Sequence, residues 1–234
     1  MLPVSPVWSQ TIEPMPPSCR PAIAPEQKQY IVGYGSLMED ESRHRTAPQS
    51  GEAYPILLKG YRRGWFIAGP KIGFGASFLG VQPDSNQKIN AVIYEVLDPT
   101  EVAATDRREG SYCRALVPLN SLKLLKSDLP QPDGQIWIYT LNPSQSKVTP
   151  PSPQFPIVQS YVDIFLSGCL EQAERFNLPD FPQQCIETTT GWSSDWVNDR
   201  LYPRRPFLYQ PKAGQIDRLL EQLLPQYFRQ IKIE

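Results

Sequence analysis

The chain predicts a mixed α/β (α+β) fold, with a small curved or barrel-like mixed sheet flanked by short helices and a helical C-terminal extension. Two observations carry this. The elements run strand, turn, helix, several strands, helix, more strands and helices last, unlike the steady alternation of a doubly wound parallel sheet. The strand-like runs are apolar or alternating, and Gly73, Gly75 and Gly80 punctuate them as bends or bulges.

In chain order, a first strand covers residues 29–33, followed by a glycine-rich turn and a short helix over 39–46 that Pro48 and Gly51 end. A strand-rich stretch follows: apolar at 53–58, then aromatic and basic residues in alternation at 59–66. The clearest strand is NAVIYEVL at 90–97. Asp98 or Thr100 caps a helix that carries Glu101 to Arg108 and stops at Gly110. Strands return at 112–119 and 135–141. The proline-rich stretch 142–156 reads as a linker or lid. Beyond it, Val162, Phe165, Leu166, Cys169, Leu170 and Ala173 share one face of a helix, and 215–231 is amphipathic.

The 234 residues suffice for one sizeable domain with appendages. A chain this long buries roughly 70% of its unfolded surface and needs no staple. Net charge is −1 and basic residues cluster only as pairs (Arg62-Arg63, Arg107-Arg108, Arg204-Arg205), which argues against a nucleic-acid partner. The four cysteines, Cys19, Cys113, Cys169 and Cys185, form no CxxC pair, and His44 is the only histidine. That argues against zinc, and any His-dependent triad would have to pass through His44, which reads as a solvated residue between Arg43 and Arg45. Residues 1–28 form a Pro-rich extended or disordered arm, broken too often by proline to be a signal peptide or a membrane span. A cytoplasmic setting with reduced thiols is expected. The core is placed at 29–145, and 146–234 is a Pro-rich segment and helical extension packing on it.

Several short motifs fail on physical grounds. Gly33 to Met38 is GxGxxM, and Met38 is too large for the close helix–strand packing of a dinucleotide fingerprint. The stretch from Gly73 to Phe78 fails in the same way, and Ser77 lacks the glycines of a nucleophile elbow. Two stretches remain. At Gly33-Tyr34-Gly35-Ser36, backbone N–H groups of a strand-to-helix turn can converge on a carboxylate or carbonyl oxygen. Gly35 lets a ligand approach the backbone, and the Ser36 hydroxyl offers one more bond. In DRREGSY, at 106–112, Glu109 stands where a helix gives way to a strand, either as a general acid or base or as part of a solvated charged turn.

Other residues keep two readings or a structural one. Tyr112 lines a pocket or packs in the core, and Arg114 pairs with a substrate carboxylate or lies on the sheet surface. Arg62 and Arg63, between Tyr61 and Trp65, stack and form salt bridges. Ser42 and Arg43 hold the first helix to the sheet, Trp192 and Trp196 anchor the tail, and Cys113 is a small core residue.

YGSL after an apolar strand, followed by AVIYEVLDPTEVAATDRREGSYCRALV, resembles the γ-glutamylcyclotransferase-like family. The resemblance covers roughly residues 30–141 and extends to Tyr161 and Gly168, which keep the family's spacing of seven. TTTGWSSDWVNDRLYPRRP is similar to a helical extension in part of the family. The resemblance implies a γ-glutamylcyclotransferase-like fold and an intramolecular aminolysis. The α-amino group of a γ-glutamyl compound attacks its own γ-carbonyl, giving 5-oxoproline and a free amine or amino acid, a reaction of glutathione metabolism. It implies that Tyr34, Gly35, Ser36 and Leu37 bind the γ-glutamyl group, that Glu109 is the general acid and base, and that Tyr161 binds substrate. No cofactor or metal is implied. The partner is a small γ-glutamyl substrate, with no nucleic acid and no membrane, and the N-terminal arm or C-terminal extension leaves room for a protein partner. Leu37 stands where the glutathione-directed branch has Asn; other branches have Leu. That change in polar contacts leaves open a substrate other than a simple γ-glutamyl amino acid. The alternative is a catalytically silent binding or regulatory module of the same fold.

Overall fold

The structure is a computed structural model that describes residues 19–69, 75–142, 148–205 and 212–234. Parts of the expected arm (1–18) and of the Pro-rich linker (143–147), together with Gly73, therefore lie outside the described residues. The strands are β1 (Gln29–Gly33), β2 (Tyr54–Ala68), β3 (Ser77–Val96), β4 (Tyr112–Leu116), β5 (Leu122–Leu124), β6 (Gln135–Leu141), β7 (Ile157–Val158), β8 (Thr189–Thr190), β9 (Trp196–Asn198) and β10 (Lys232–Ile233). The helices are α1 (Asp40–His44), α2 (Thr100–Arg108), α3 (Gln159–Phe176), α4 (Phe181–Glu187), α5 (Ala213–Leu223) and α6 (Pro225–Phe228).

The main sheet runs β4-β6-β1-β3-β2-β5, with β8 added beside β2. It is mixed: β1 pairs parallel with β6 and antiparallel with β3. Its end strands β4 and β5 do not pair, so the sheet stays open. Period-two alternation sends neighbouring residues to opposite faces, and both faces are buried. Ile31, Val92, Tyr94, Trp137 and Tyr139 face α3 and belong to the larger core. Tyr30, Val32, Ala91, Ile93, Ile136 and Ile138 face the other way, into a cluster that contains no helical residue. Strand residues and loop residues such as Val117 and Leu129 make up that second cluster. The stretch 53–66 and the strand at 90–97 are not separate short strands. They lie in one long hairpin, β2 and β3, whose register shifts between Lys59 and Tyr61 and again between Trp65 and Ile67.

Local chemistry explains the helix boundaries. Glu39 caps α1 by accepting the Ser42 N–H, and Asp98 accepts the Thr100 N–H at 2.9 Å ahead of α2. α3 ends on Asn177 in the left-handed region (φ 49°). The predicted apolar face of α3 is buried throughout, with Ala173 partly so.

The tail is stitched to the body. β8 pairs with β2, and β9 sits between β7 and β10 in a second, three-stranded parallel sheet. Arg200 bridges Asp163 of α3 and Asp217 of α5 with paired contacts of 2.8 Å. Trp192 stacks on Trp196 and meets Trp65 edge-on, each at 5.3 Å between ring centroids. The thiols expected to be reduced are instead paired, Cys19 with Cys113 and Cys169 with Cys185. Folding brings together partners 94 and 16 residues apart, which spacing alone does not reveal. No helix among the described residues is long and apolar enough to cross a membrane.

Arg63 is wholly buried on β2. Its Nε donates to Thr189, its Nη1 to the Tyr34 and Asn90 carbonyls, and its Nη2 to the Asn90 side chain, the Cys185 carbonyl and Thr188. The ring of Phe165 lies 4.8 Å from the guanidinium carbon. Among the described residues Arg63 makes no salt bridge, its hydrogen bonds going to neutral oxygens; it is Arg62 that faces Asp84, at 3.8 Å. Lysine keeps the charge but not the fork. Arg63→Lys is expected to lose about 3 kcal/mol or more in urea unfolding, since several buried carbonyls lose their donors.

Candidate active site

Glu109 follows the last residue of α2 and is held by its backbone. Its N–H donates to the Thr105 carbonyl at 2.8 Å, and its carbonyl accepts from Tyr112 N–H at 2.9 Å and from Arg20 Nη2 at 3.1 Å. Arg20 also donates to the carbonyls of Asp106 and Tyr112, so the segment beginning at Cys19 clamps this turn from behind. Arg114 is part of the same support and does not face the chamber. It lies over Trp137 and donates to the Pro21 carbonyl, which corrects both readings of it as a surface residue or a substrate anchor.

Arg108 joins Glu109 to the glycine-rich turn. It donates to Ser36 Oγ at 3.1 Å, to Ser42 Oγ at 2.7 Å and to Thr46 Oγ1 at 3.1 Å. Its Nε lies 3.3 Å from Glu109 Oε1. Ser42 therefore holds α1 to α2, while Arg43 fixes α1 to the sheet from above the Tyr94 ring.

The turn at 34–37 divides its labour. Tyr34 and Leu37 point their side chains into the two cores, and Tyr34 donates its hydroxyl to the Tyr139 carbonyl at 2.6 Å. Gly35 and Ser36 border a niche of about 20 Å³, shared with Glu109 and Tyr161. That is room for about one water-sized group. A side chain on Gly35 would place its Cβ 2.9 Å from the Tyr161 hydroxyl. The Tyr161 hydroxyl thus lies against the open face of Gly35, at the border of the niche. Beyond Glu109 the niche widens into a chamber of about 660 Å³, lined in part by Ile67, Phe78, Arg108 and Arg205.

Tyr161 reaches the niche because α3 sits very close to the turn. A Cβ on Gly168, two helical turns further on, would lie 2.5 Å from the Glu39 nitrogen and the Met38 carbonyl carbon. Trp65 and Phe78 meet the Tyr161 ring edge-on at 5.8 and 5.2 Å. Tyr112 satisfies both of its readings: it borders the niche and chamber and donates to the Leu79 carbonyl at 2.8 Å.

The electrostatics are tuned around one carboxylate. Burial pushes the Glu109 pKa above the usual glutamate range, and Arg108, then Arg205, then Arg20 oppose it. Its side chain is 14% exposed. Burial, reinforced by the Glu109 charge, pushes the Tyr161 hydroxyl up to about 12, so the phenol remains a neutral donor. Arg205 was not singled out as a site residue from sequence; only its pairing with Arg204 was visible. No group of three or more His, Cys, Asp or Glu among the described residues could hold a metal ion.

Gly168→Ala is expected to destabilise the fold by about 1–3 kcal/mol through overpacking against backbone. The measurement is denaturant unfolding, with Ala173→Gly on the same helix as a control that weakens α3 without moving Tyr161.

The profile of gamma-glutamyl cyclotransferases of the AIG2-like type matches residues 31–156, more than half of the chain. No curated protein matches significantly. Among solved structures, an uncharacterized human protein is similar with a TM-score of 0.51 at 14% identity, over 72% of this chain and 92% of that one. A structure described as a gamma-glutamyl cyclotransferase is similar with a TM-score of 0.50 at 14% identity, over 84% of this chain and 99% of that one. At that identity the structures speak for the fold, and the profile match for the lineage. The open mixed sheet with its flanking helices is the fold of those neighbours, and the chain belongs to the gamma-glutamyl cyclotransferase, AIG2-like family.

Proposed function

We propose that the protein cyclises a γ-glutamyl compound to 5-oxoproline and releases the amine or amino acid. One observation carries this reading: a single, mostly buried carboxylate, Glu109, borders both the niche and the wider chamber, beside the turn at 34–37 and Tyr161. In this reading the backbone of Tyr34, Gly35, Ser36 and Leu37 receives the γ-glutamyl group. Tyr161 donates a hydrogen bond to it.

The reaction balances without water. The substrate's α-nitrogen forms a bond to its γ-carbonyl carbon while the bond from that carbon to the leaving nitrogen breaks. Two protons leave the α-ammonium and two reach the leaving nitrogen, with Glu109 carrying them in turn. The five-membered ring supplies much of the proximity, so the protein has to fold the chain and manage protons. A carboxylate with a raised pKa suits both halves of that task, since it takes a proton from an ammonium and returns it readily. The chemistry runs on side chains alone, with no cofactor.

Wild type is expected to release 5-oxoproline from γ-glutamyl compounds, and folded Glu109→Gln to lose about 10²–10⁴ in kcat. Product from Glu109→Gln at the wild-type rate would remove Glu109 from the mechanism. A wild type that binds γ-glutamyl compounds without releasing product would be a binding module. The same variant has a stability signature. Because the folded-state pKa of Glu109 is raised, the stability this group contributes is complete below its unfolded value and is lost as pH rises through the folded one. Glutamine removes that loss. Glu109→Gln should therefore melt above wild type at neutral pH, with the gap closing below about pH 4, where the wild-type carboxyl is protonated in both states.

A further inference from the structure

The chamber carries cations from three elements. Arg108 is engaged with Ser36, Ser42 and Thr46, and Arg45 with Glu41 at 2.6 Å. Arg205 differs. It comes from the tail, outside the stretch that carries the family match. It is exposed, and its guanidinium carbon lies 4.3 Å from the centroid of the Phe78 ring. Its own backbone N–H donates to Ser160 Oγ at 3.2 Å, which ties it to the start of α3. Held over the Phe78 ring, the exposed guanidinium keeps N–H donors that can receive a carboxylate, in two parallel bonds where the fork is aligned. Arg205 lines the chamber but not the niche. If the γ-glutamyl end occupies the niche side of Glu109, the group that departs lies in the chamber with Arg205. A chamber of 660 Å³ also has room for an amino acid or a short peptide there.

We propose that Arg205 binds a carboxylate on the leaving group, so that the preferred substrates are γ-glutamyl compounds of amino acids or peptides rather than of plain amines. This rests on the cyclotransferase reading above. It places a specificity residue in the C-terminal extension, where stacking on Phe78 holds the cation ready and where the neighbouring Arg45 and Arg108 disfavour a cationic leaving group.

The test compares γ-glutamyl-alanine with γ-glutamyl-ethylamine, which differ only by the leaving group's carboxylate. Wild type, Arg205→Gln and Arg205→Lys are assayed for 5-oxoproline release. Binding of both compounds is measured by calorimetry in Glu109→Gln, with and without Arg205→Gln. The ratio of kcat/KM for the alanine over the ethylamine compound should fall about tenfold to a hundredfold in Arg205→Gln, the range of a hydrogen bond to a charged group, with Arg205→Lys in between. The binding ratio should fall likewise. If Arg205 merely tuned Glu109 or held the γ-glutamyl group's own carboxylate, both compounds would suffer equally. Equal losses, an unchanged ratio, or no binding of γ-glutamyl-alanine overturns the proposal. No turnover by wild type, with the binding ratio still dependent on Arg205, would sink the enzyme reading and leave the carboxylate site standing.

Discussion

Arg63 is the interaction around which the rest is arranged. It lies on β2, between β3 and β8, and its partners come from the β1 turn, β3 and the junction of α4 with β8. Each partner is a neutral oxygen, so the cation's value lies in satisfying groups that would otherwise be buried without donors. Asn90 links the same network to α4, donating to the Phe181 carbonyl at 2.9 Å. The bond from Arg63 to the Tyr34 carbonyl fixes the first residue of the glycine-rich turn. The candidate site is thus referenced to the core rather than to a surface loop, which is what preorganisation demands.

From that anchor the site is built by close approach. α3 can cross the turn only because Gly168 has no side chain, and Tyr161 can enter the niche only because Gly35 has none. Both glycines serve one contact between a helix and a turn. Glu109 is placed from the opposite side, by the end of α2 and by Arg20 and Arg108. Two supports meet at one carboxyl, and neither is contiguous with the other in sequence. The carboxyl stays buried at an electrostatic cost, and three arginines of different origin offset part of that cost.

The C-terminal extension is part of this construction. Its strands add to the core sheet through β8 and to β7 through β9, and Arg200 clamps α3 to α5 between two aspartates. Tyr161 and Arg205 both lie beyond the stretch that identifies the family. The pocket is therefore completed by segments whose role the family match alone does not define.

Much of the fold is legible in the residues themselves. The strands at 29–33 and 135–141, the α3 face and the Asp98 turn ahead of α2 follow from periodicity and turn chemistry, which are local forces. Glu109 and the turn at 34–37 were readable as one site only through the order of two motifs. Other features depended on contacts between distant residues. The long β2–β3 hairpin looked like separate strands because a register shift breaks the alternation without breaking the pairing. Arg63 read, with Arg62, as a stacking and salt-bridging pair, since sequence does not show which of two adjacent arginines faces inward. The cysteine pairings, the burial of Arg114 and the arrival of Arg205 at the chamber have no local signature at all. Local propensity and pattern determined which segments become strands and helices; only the packing of the closed fold decided which side chains share a cavity, because that depends on distances between residues far apart in the chain.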